Sequence, residues 1–356
     1  MNILLMNLSP DFYEGELQTL FLAHALRQRD DCRLVILCHD GSPLQRFALT
    51  SGLESIAFVD GFMGKLAWNF KLHWFSKRNN KEKWIIHTHD DRSVCFGGKL
   101  AQKKTNFLLL HSRHSPARAS DPRFEEKLRA AGIIACETQE IAYTIAEAKV
   151  PPKALKIIRG AIDRSRYTEK IPRNDNRLIL ICPGRLIAGN GHENLIRALS
   201  IFQQASWLPP WELRISGSGP LFSSLLTLAK ELKVESHLAF LGGQDSNVVL
   251  PDCDVLIAPA SQGEGCSLPV LEGWATGLPV ICSDSLAHVE IVHDGQDALF
   301  FKQDSPEDLA AKMLALCREE SLRASLAAGG TRSLSNFTCA TMLEQYVGLY
   351  RRLLDE

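Results

Sequence analysis

Two acids eight positions apart, Glu264 and Glu272, flank what reads as a helix start in Ala258-Pro-Ala-Ser-Gln-Gly-Glu264-Gly-Cys-Ser-Leu-Pro-Val-Leu-Glu272-Gly-Trp-Ala-Thr-Gly277. A strand should end near Pro259, a polar loop should follow, and a helix should begin with Ser267 as its N-cap and Pro269 in its first turn. The N–H groups of Cys266, Ser267 and Leu268 would then point out of the helix end, beside the positive pole of its dipole. Such an end is an anion site suited to a diphosphate. An ionised carboxylate only accepts hydrogen bonds, so two of them beside an anion site suit recognition of hydroxyl groups. The same spacing also describes an ordinary capped helix with two solvated acids.

Other chemistry-bearing residues are weaker signals. Histidines cluster at strand ends, in His87-Thr88-His89-Asp90-Asp91-Arg92 and in His111-Ser112-Arg113-His114. Two His at i, i+2 on a strand share a side, but spacing supplies no third ligand, so no metal site is expected. Gly184 and Gly189 are followed by Asn190 where a phosphate-binding loop needs Lys. Gly217-Ser-Gly219 has Phe222 where a dinucleotide fingerprint needs its last glycine. Asp252-Cys-Asp254 precedes a strand without the surroundings of a metal-binding D-x-D. From Phe62 to Trp84 the chain carries three of its six Trp, and Lys65, Lys71, Lys77, Arg78, Lys81 and Lys83 against the single acid Glu82. Met63, Ala67, Phe70 and Trp74 share one helical face there. The stretch reads either as a helix packed on the first sheet or as peripheral contact with an anionic membrane.

The elements that must hold these residues follow from apolar patterning. The 356 residues suggest two domains, and 45% hydrophobic with 23% charged residues excludes a mostly disordered chain. A net charge of −1, from 40 Lys+Arg against 41 Asp+Glu, leaves no footprint for nucleic acid. The apolar runs are too short to cross a bilayer, and the N-terminus reads as a first strand, not as a leader. Ten cysteines without a C-x-x-C pair fit a reducing, cytoplasmic setting. Strands are expected at Ile3–Leu8, Leu34–Cys38, Ser55–Val59, Trp84–His87, Phe107–Leu110 and Ile133–Cys136. A polar stretch near 165–176 separates them from a second set beginning at Leu178–Cys182 and continuing through Glu212–Ile215, Leu238–Leu241, Val255–Ala258, Val280–Cys282 and Ala298–Phe301. Strands apolar at consecutive positions, alternating with helical patterns, predict α/β architecture with doubly wound parallel sheets. The expected domains are 1–168 and 169–335, and ligands of such sheets bind beyond the strands' carboxyl ends, here in a cleft between the domains.

With those elements in order, the chain resembles the retaining glycosyltransferases of family 4, which have the GT-B fold of two Rossmann-like domains facing across a cleft. Glu264 and Glu272 match the family's E-x7-E motif. Cys182-Pro-Gly-Arg185-Leu-Ile is similar to its "GRL" turn, Ile215-Ser-Gly217-Ser-Gly219-Pro to its "GxGP" turn, and Gly160-Ala-Ile-Asp163 to its inter-domain "NGxD". The resemblance covers roughly residues 3 to 350 and is strongest from 178 to 302. It implies a metal-independent hexosyl transfer from a nucleotide-diphosphate sugar, as donor substrate without a further cofactor, to a glycan or lipid-linked acceptor. Bacterial lipopolysaccharide or other surface polysaccharide synthesis, in the cytoplasm or peripherally on the inner face of the membrane, is the implied setting. Glu272 would accept from ribose hydroxyls and Glu264 from the transferred sugar. Arg185 and the amides of Gly265, Cys266, Ser267 and Leu268 would hold the leaving diphosphate, with Asn190 and Gly217 lining the donor side. His111 or His114 would touch the donor sugar, Gly15 the donor phosphate, and His89 and Asp90 the acceptor. Residues 336–356 would form a helix crossing back to the N-terminal domain. The chain departs from the pattern at Asn190, where the family has Lys, and at Glu14, in place of its first loop glycine. A catalytically impaired partner subunit and a GT-B sugar-nucleotide epimerase are the alternatives.

Overall fold

The structure is a computed structural model that describes residues 1–10, 14–115, 128–129, 131–147, 155–260, 265 and 267–355. The chain divides into two compact units, one of Met1–Ala161 with the C-terminal helix Cys339–Asp355, the other of Ile162–Thr338.

In the first unit seven strands form one wholly parallel sheet of order β3-β2-β1-β4-β5-β6-β7. They are β1 Asn2–Asn7, β2 Arg33–His39, β3 Glu54–Phe58, β4 Trp84–Thr88, β5 Phe107–Arg113, β6 Ile133–Cys136 and β7 Leu155–Ile157. Among the described residues, helices α1 Glu14–Arg27, α2 Pro43–Thr50, α3 Phe62–Arg78, α4 Asp91–Lys103 and α5 Gln139–Glu147 connect or follow them. Central strands are buried almost throughout, which is why β1, β4 and β6 carry the apolar runs Ile3–Met6, Trp84–Ile86 and Ile133–Cys136. The edge strand β7 is three residues with Lys156 in the middle and was not expected from the sequence. So short a run carries no periodicity.

The second unit repeats the plan with order β10-β9-β8-β11-β12-β13, again all parallel. Its strands are β8 Leu178–Pro183, β9 Trp211–Ser216, β10 Leu238–Gly242, β11 Val255–Ala258, β12 Val280–Ser283 and β13 Leu299–Phe301. Its main helices are α6 His192–Phe202, α7 Phe222–Glu231, α8 Leu268–Thr276, α9 Pro306–Arg318 and α10 Glu320–Ser333. Two apolar clusters cover the sheet's faces, one around Leu199, Phe202 and Leu213 and the other around Leu256, Leu271 and Trp274.

Both sheets reverse their winding beside the first strand of the unit, between β1 and β4 and between β8 and β11. At such a switch point adjacent loops diverge to opposite faces and leave a crevice beyond the carboxyl ends.

Candidate functional site

In the second unit the loops after β8 and β9 meet the end of β11 at that crevice. Gly184, Gly189 and Gly191 take φ of 140°, 90° and 73°, so the loop after β8 turns sharply three times. Gly217 and Gly219 lie where a Cβ would overlap the carbonyl oxygens of Gly184 and Leu186, so the turn after β9 seats directly on the Arg185 turn. Gly184 N–H and Leu186 N–H donate to Ser216 and Ser218 carbonyls, at 2.9 and 3.0 Å. Gly191 approaches the Pro259 carbonyl at the end of β11 just as closely. Three glycines, Gly191, Gly217 and Gly219, thus fit the loops together. Gly217 has a packing reason for being glycine, whatever it does toward a donor.

Helix α8 begins at this junction. Ser267 occupies the N-cap position as expected, but in the left-handed conformation (φ 54°, ψ 59°), and its side chain makes no capping bond to the helix. A non-glycine residue there is strained, and such strain concentrates where a backbone must be aimed at something. Pro269 stands in the first turn and has no N–H to lose. Leu268 opens the helix, and Gly265 is buried just before it. Glu264 and Cys266 lie outside the described residues.

Glu272, one turn into α8, is 6% exposed. Burial pushes its carboxyl up to about 7, against hydrogen bonds from Tyr167 and Ser246 and the charge of Arg166, which favour the ionised form. Tyr167 Oη donates to Glu272 Oε1 at 2.9 Å. Burial and the same carboxylate push the Tyr167 phenol well above its ordinary value. Arg185 is exposed on its turn. Asn190 donates from its Nδ2 to the Arg185 carbonyl at 2.9 Å, on the exposed side of the loop. It therefore braces the Arg185 turn.

In the first unit the corresponding crevice is lined by histidines. Gly15, in the first turn of α1, lies against His114, whose ring atoms would stand 3.1 to 3.2 Å from a Cβ at that position. His114 Nδ1 pairs with Glu137 Oε1 at 2.6 Å, and its Nε2 with His89 Nδ1 at 2.9 Å. Glu137 is 3% exposed, so this carboxylate–imidazole–imidazole chain runs through a largely dry interior. His89 Nε2 is buried without a hydrogen-bond partner among the described residues. His111 lies elsewhere, fully buried, with Nδ1 2.9 Å from Thr88 Oγ1, and burial lowers it to about 3. The structure thus brings His114, and not His111, beside Gly15 and His89. Asp90 caps α4 through a capping box with Ser93 and also accepts from Leu8 N–H at 2.7 Å. Its oxygens tie the end of β1 to the start of α4.

Several of these partners escaped sequence reasoning. Tyr167 and Glu272 are 105 positions apart, and nothing local marks the pair. Glu137 follows directly on β6, so an acid at a strand's carboxyl end was the available signal. Tyr350 Oη pairs with His87 Nδ1 and Tyr346 Oη with Ser112 Oγ, each at 2.7 Å, fastening the C-terminal helix to β4 and β5. Among the described residues no group of three or more His, Cys, Asp or Glu could hold a metal ion, and no helix is long and apolar enough to cross a membrane.

Comparison with known proteins bears on both units. Residues 163–333 match the family described as glycosyl transferases group 1. The GDP-mannose-dependent alpha-(1-6)-phosphatidylinositol monomannoside mannosyltransferase of Mycolicibacterium smegmatis is 26% identical over 250 residues, 61% of this chain and 65% of that protein. The lipopolysaccharide core biosynthesis glycosyltransferase LpsE of Rhizobium meliloti is 27% identical over 191 residues, 53% of each chain. The match therefore spans less than two thirds of either relative's length. The crystal structure of Anabaena Alr3699/HepE in complex with UDP and glucose superposes with a TM-score of 0.81 at 17% identity, covering 99% of this chain and 100% of that one. That likeness establishes the fold, GT-B, for the chain.

Proposed function

We propose that this protein, whose residues 163–333 match the glycosyl transferases group 1, transfers a sugar from a nucleotide-diphosphate sugar to a hydroxyl of a glycan or lipid-linked acceptor, with retention and without a metal. The relatives that act in surface polysaccharide synthesis support that setting for the acceptor. The observation that carries the reading is the start of α8, where a strained Ser267 and the buried Glu272 stand in the element that follows β11, beside the interlocked loops after β8 and β9 at the switch point of the second sheet.

The chemistry follows from charge. As the bond from the sugar's anomeric carbon to the diphosphate breaks, negative charge grows on the leaving group. The N–H groups at the start of α8 and the Arg185 guanidinium stabilise it in place of a divalent cation. One well-placed donor in such a site is worth roughly 3 kcal/mol in the transition state. Glu272 fixes the ribose by accepting its hydroxyls, and Glu264 accepts from the transferred sugar. In the first unit His89, whose Nε2 is buried without a hydrogen-bond partner among the described residues, is the group this reading assigns to the acceptor. A thermal-shift panel of UDP, GDP, ADP and CMP tests the reading. One nucleoside diphosphate should raise the melting temperature by mass action, and loss of that shift in Glu272→Ala is expected; four null results would contradict it.

The Asn190 amide, uncharged and engaged by the Arg185 carbonyl, favours a second reading, a catalytically impaired partner subunit. On the transferase reading Asn190→Lys adds the missing positive charge and raises donor affinity or turnover. Nucleotide binding with neither donor hydrolysis nor transfer, in both the native protein and Asn190→Lys, would establish the partner reading. Formation of an epimer from donor alone, followed by NMR, would instead establish an epimerase.

A further inference from the structure

Helix α3 is apolar on two opposite sides. Trp68, Leu72 and Phe75 are buried against the first unit's core. Phe62, Leu66, Phe70 and Trp74 recur at every fourth position and, with Met63, fall within about 120° of arc on the other side, taking 3.6 residues per turn. These five are 80%, 56%, 72%, 56% and 71% exposed, and with Val59 they make up six of the fourteen exposed large hydrophobic residues among those described. Side chains of this size are normally scattered singly over a surface, so such a cluster marks a place of contact.

The charge around the cluster selects the partner. Lys65, Lys71, Lys77, Arg78 and Lys81 are all exposed along and just after the helix. Arg78 lies over the Trp74 ring at 5.5 Å, inside the reach of about 6 Å for such a contact. The nearby acids are already answered. Asp60 pairs with Arg92 at 3.0 Å, while Glu54 and Glu82 stand 3.6 and 3.5 Å from Arg33. Lys65, Lys71, Lys77 and Lys81 pair with no acid among the described residues, so the face is positive as well as apolar. Phe70, Lys71 and Trp74 also border a groove of 220 Å³ against β3, the outermost strand of its sheet.

We propose that the outward face of α3 docks this protein on an anionic lipid surface, with the aromatic stripe seated at headgroup level and the lysines on lipid phosphates. A protein partner offering an apolar groove would need acidic residues placed around it to match this rim. A bilayer with anionic headgroups supplies both properties everywhere on its surface. The inference stands apart from the proposed transfer reaction, since it requires no property of the second unit.

Vesicle co-sedimentation of the full chain tests it. With phosphatidylcholine vesicles containing phosphatidylglycerol the protein should pellet at low salt and be released as salt rises, because the screening length falls from about 10 Å at 0.1 M to about 3 Å at 1 M. With phosphatidylcholine alone it should stay in the supernatant. Phe70→Ser and Trp74→Ser should each weaken binding roughly tenfold, as the loss of one buried aromatic side chain implies. Lys65→Gln, Lys71→Gln and Lys77→Gln should each weaken it roughly fivefold, the factor equivalent to about 1 kcal/mol per cation. All these side chains point away from the core, so an unchanged melting temperature is the check that the variants are folded. Absence of binding to anionic vesicles would overturn the proposal, as would binding indifferent to these substitutions. So would a cluster whose loss abolishes only concentration-dependent self-association in sedimentation velocity, since a second copy would then be the occupant.

Discussion

Replacing Glu272 by Gln should remove a pH dependence from the protein's stability, and the sign can be worked out from burial. In the folded chain the carboxyl is pushed up to about 7, whereas an unfolded chain holds it near the ordinary 4.5. Between those values the folded state binds the extra proton, so this group's contribution to stability is greatest below 4.5 and is lost as pH rises to 7. At about 1.4 kcal/mol per unit, the full window amounts to roughly 3 kcal/mol. In a unit of this size each 1 kcal/mol moves the melting temperature by roughly 2 to 4 °C. The gap between the native protein and Glu272→Gln, followed by differential scanning calorimetry from pH 5 to 8, should therefore shift against the native protein by several degrees. Tyr167→Phe removes the hydroxyl that favours the ionised form, and should carry the midpoint higher still. A gap that stays constant across this range would refute the argument, because a solvated carboxylate at position 272 would then be indicated.

Gly217→Ala should force the Arg185 turn away from its seat, since the new Cβ would overlap the Gly184 carbonyl. We expect a loss of about 1 to 3 kcal/mol in denaturant unfolding together with weaker nucleotide binding, and an unchanged protein would show that the loops do not interlock. In the first unit, burial lowers His87, His89 and His111 far below the ordinary histidine range, so that unit should lose stability as pH falls below about 6.5. Long-range nitrogen–proton NMR should find these three rings neutral down to pH 5; a ring titrating near 6.5 would contradict the burial described.

Much of the fold was legible in the sequence because both sheets are covered on two sides. Ile3–Met6 and Leu178–Cys182 then read as unbroken apolar runs, bounded by polar turns. The same reasoning missed β7, whose three residues are flanked by too little pattern to register. At the candidate site, local signals such as the proline after Ser267 announced the start of α8. The left-handed backbone of Ser267 had no such signal, because glycine is the residue that usually advertises it. Pairs closed by tertiary structure were invisible in the same way. Glu272 finds Tyr167, and His87 finds Tyr350, across 105 and 263 positions. Helix α3 shows a third limit. Its composition disclosed aromatic and basic residues, but only the structure separates the buried Trp68 and Phe75 from the exposed Phe70 and Trp74.

A crystal soaked with the nucleotide-diphosphate sugar that thermal shift selects puts the central claim to its most direct test. The account predicts the diphosphate within hydrogen-bonding distance of the Ser267 and Leu268 amides, with the ribose hydroxyls on Glu272. Density for the nucleotide at any other place on the second unit would contradict it.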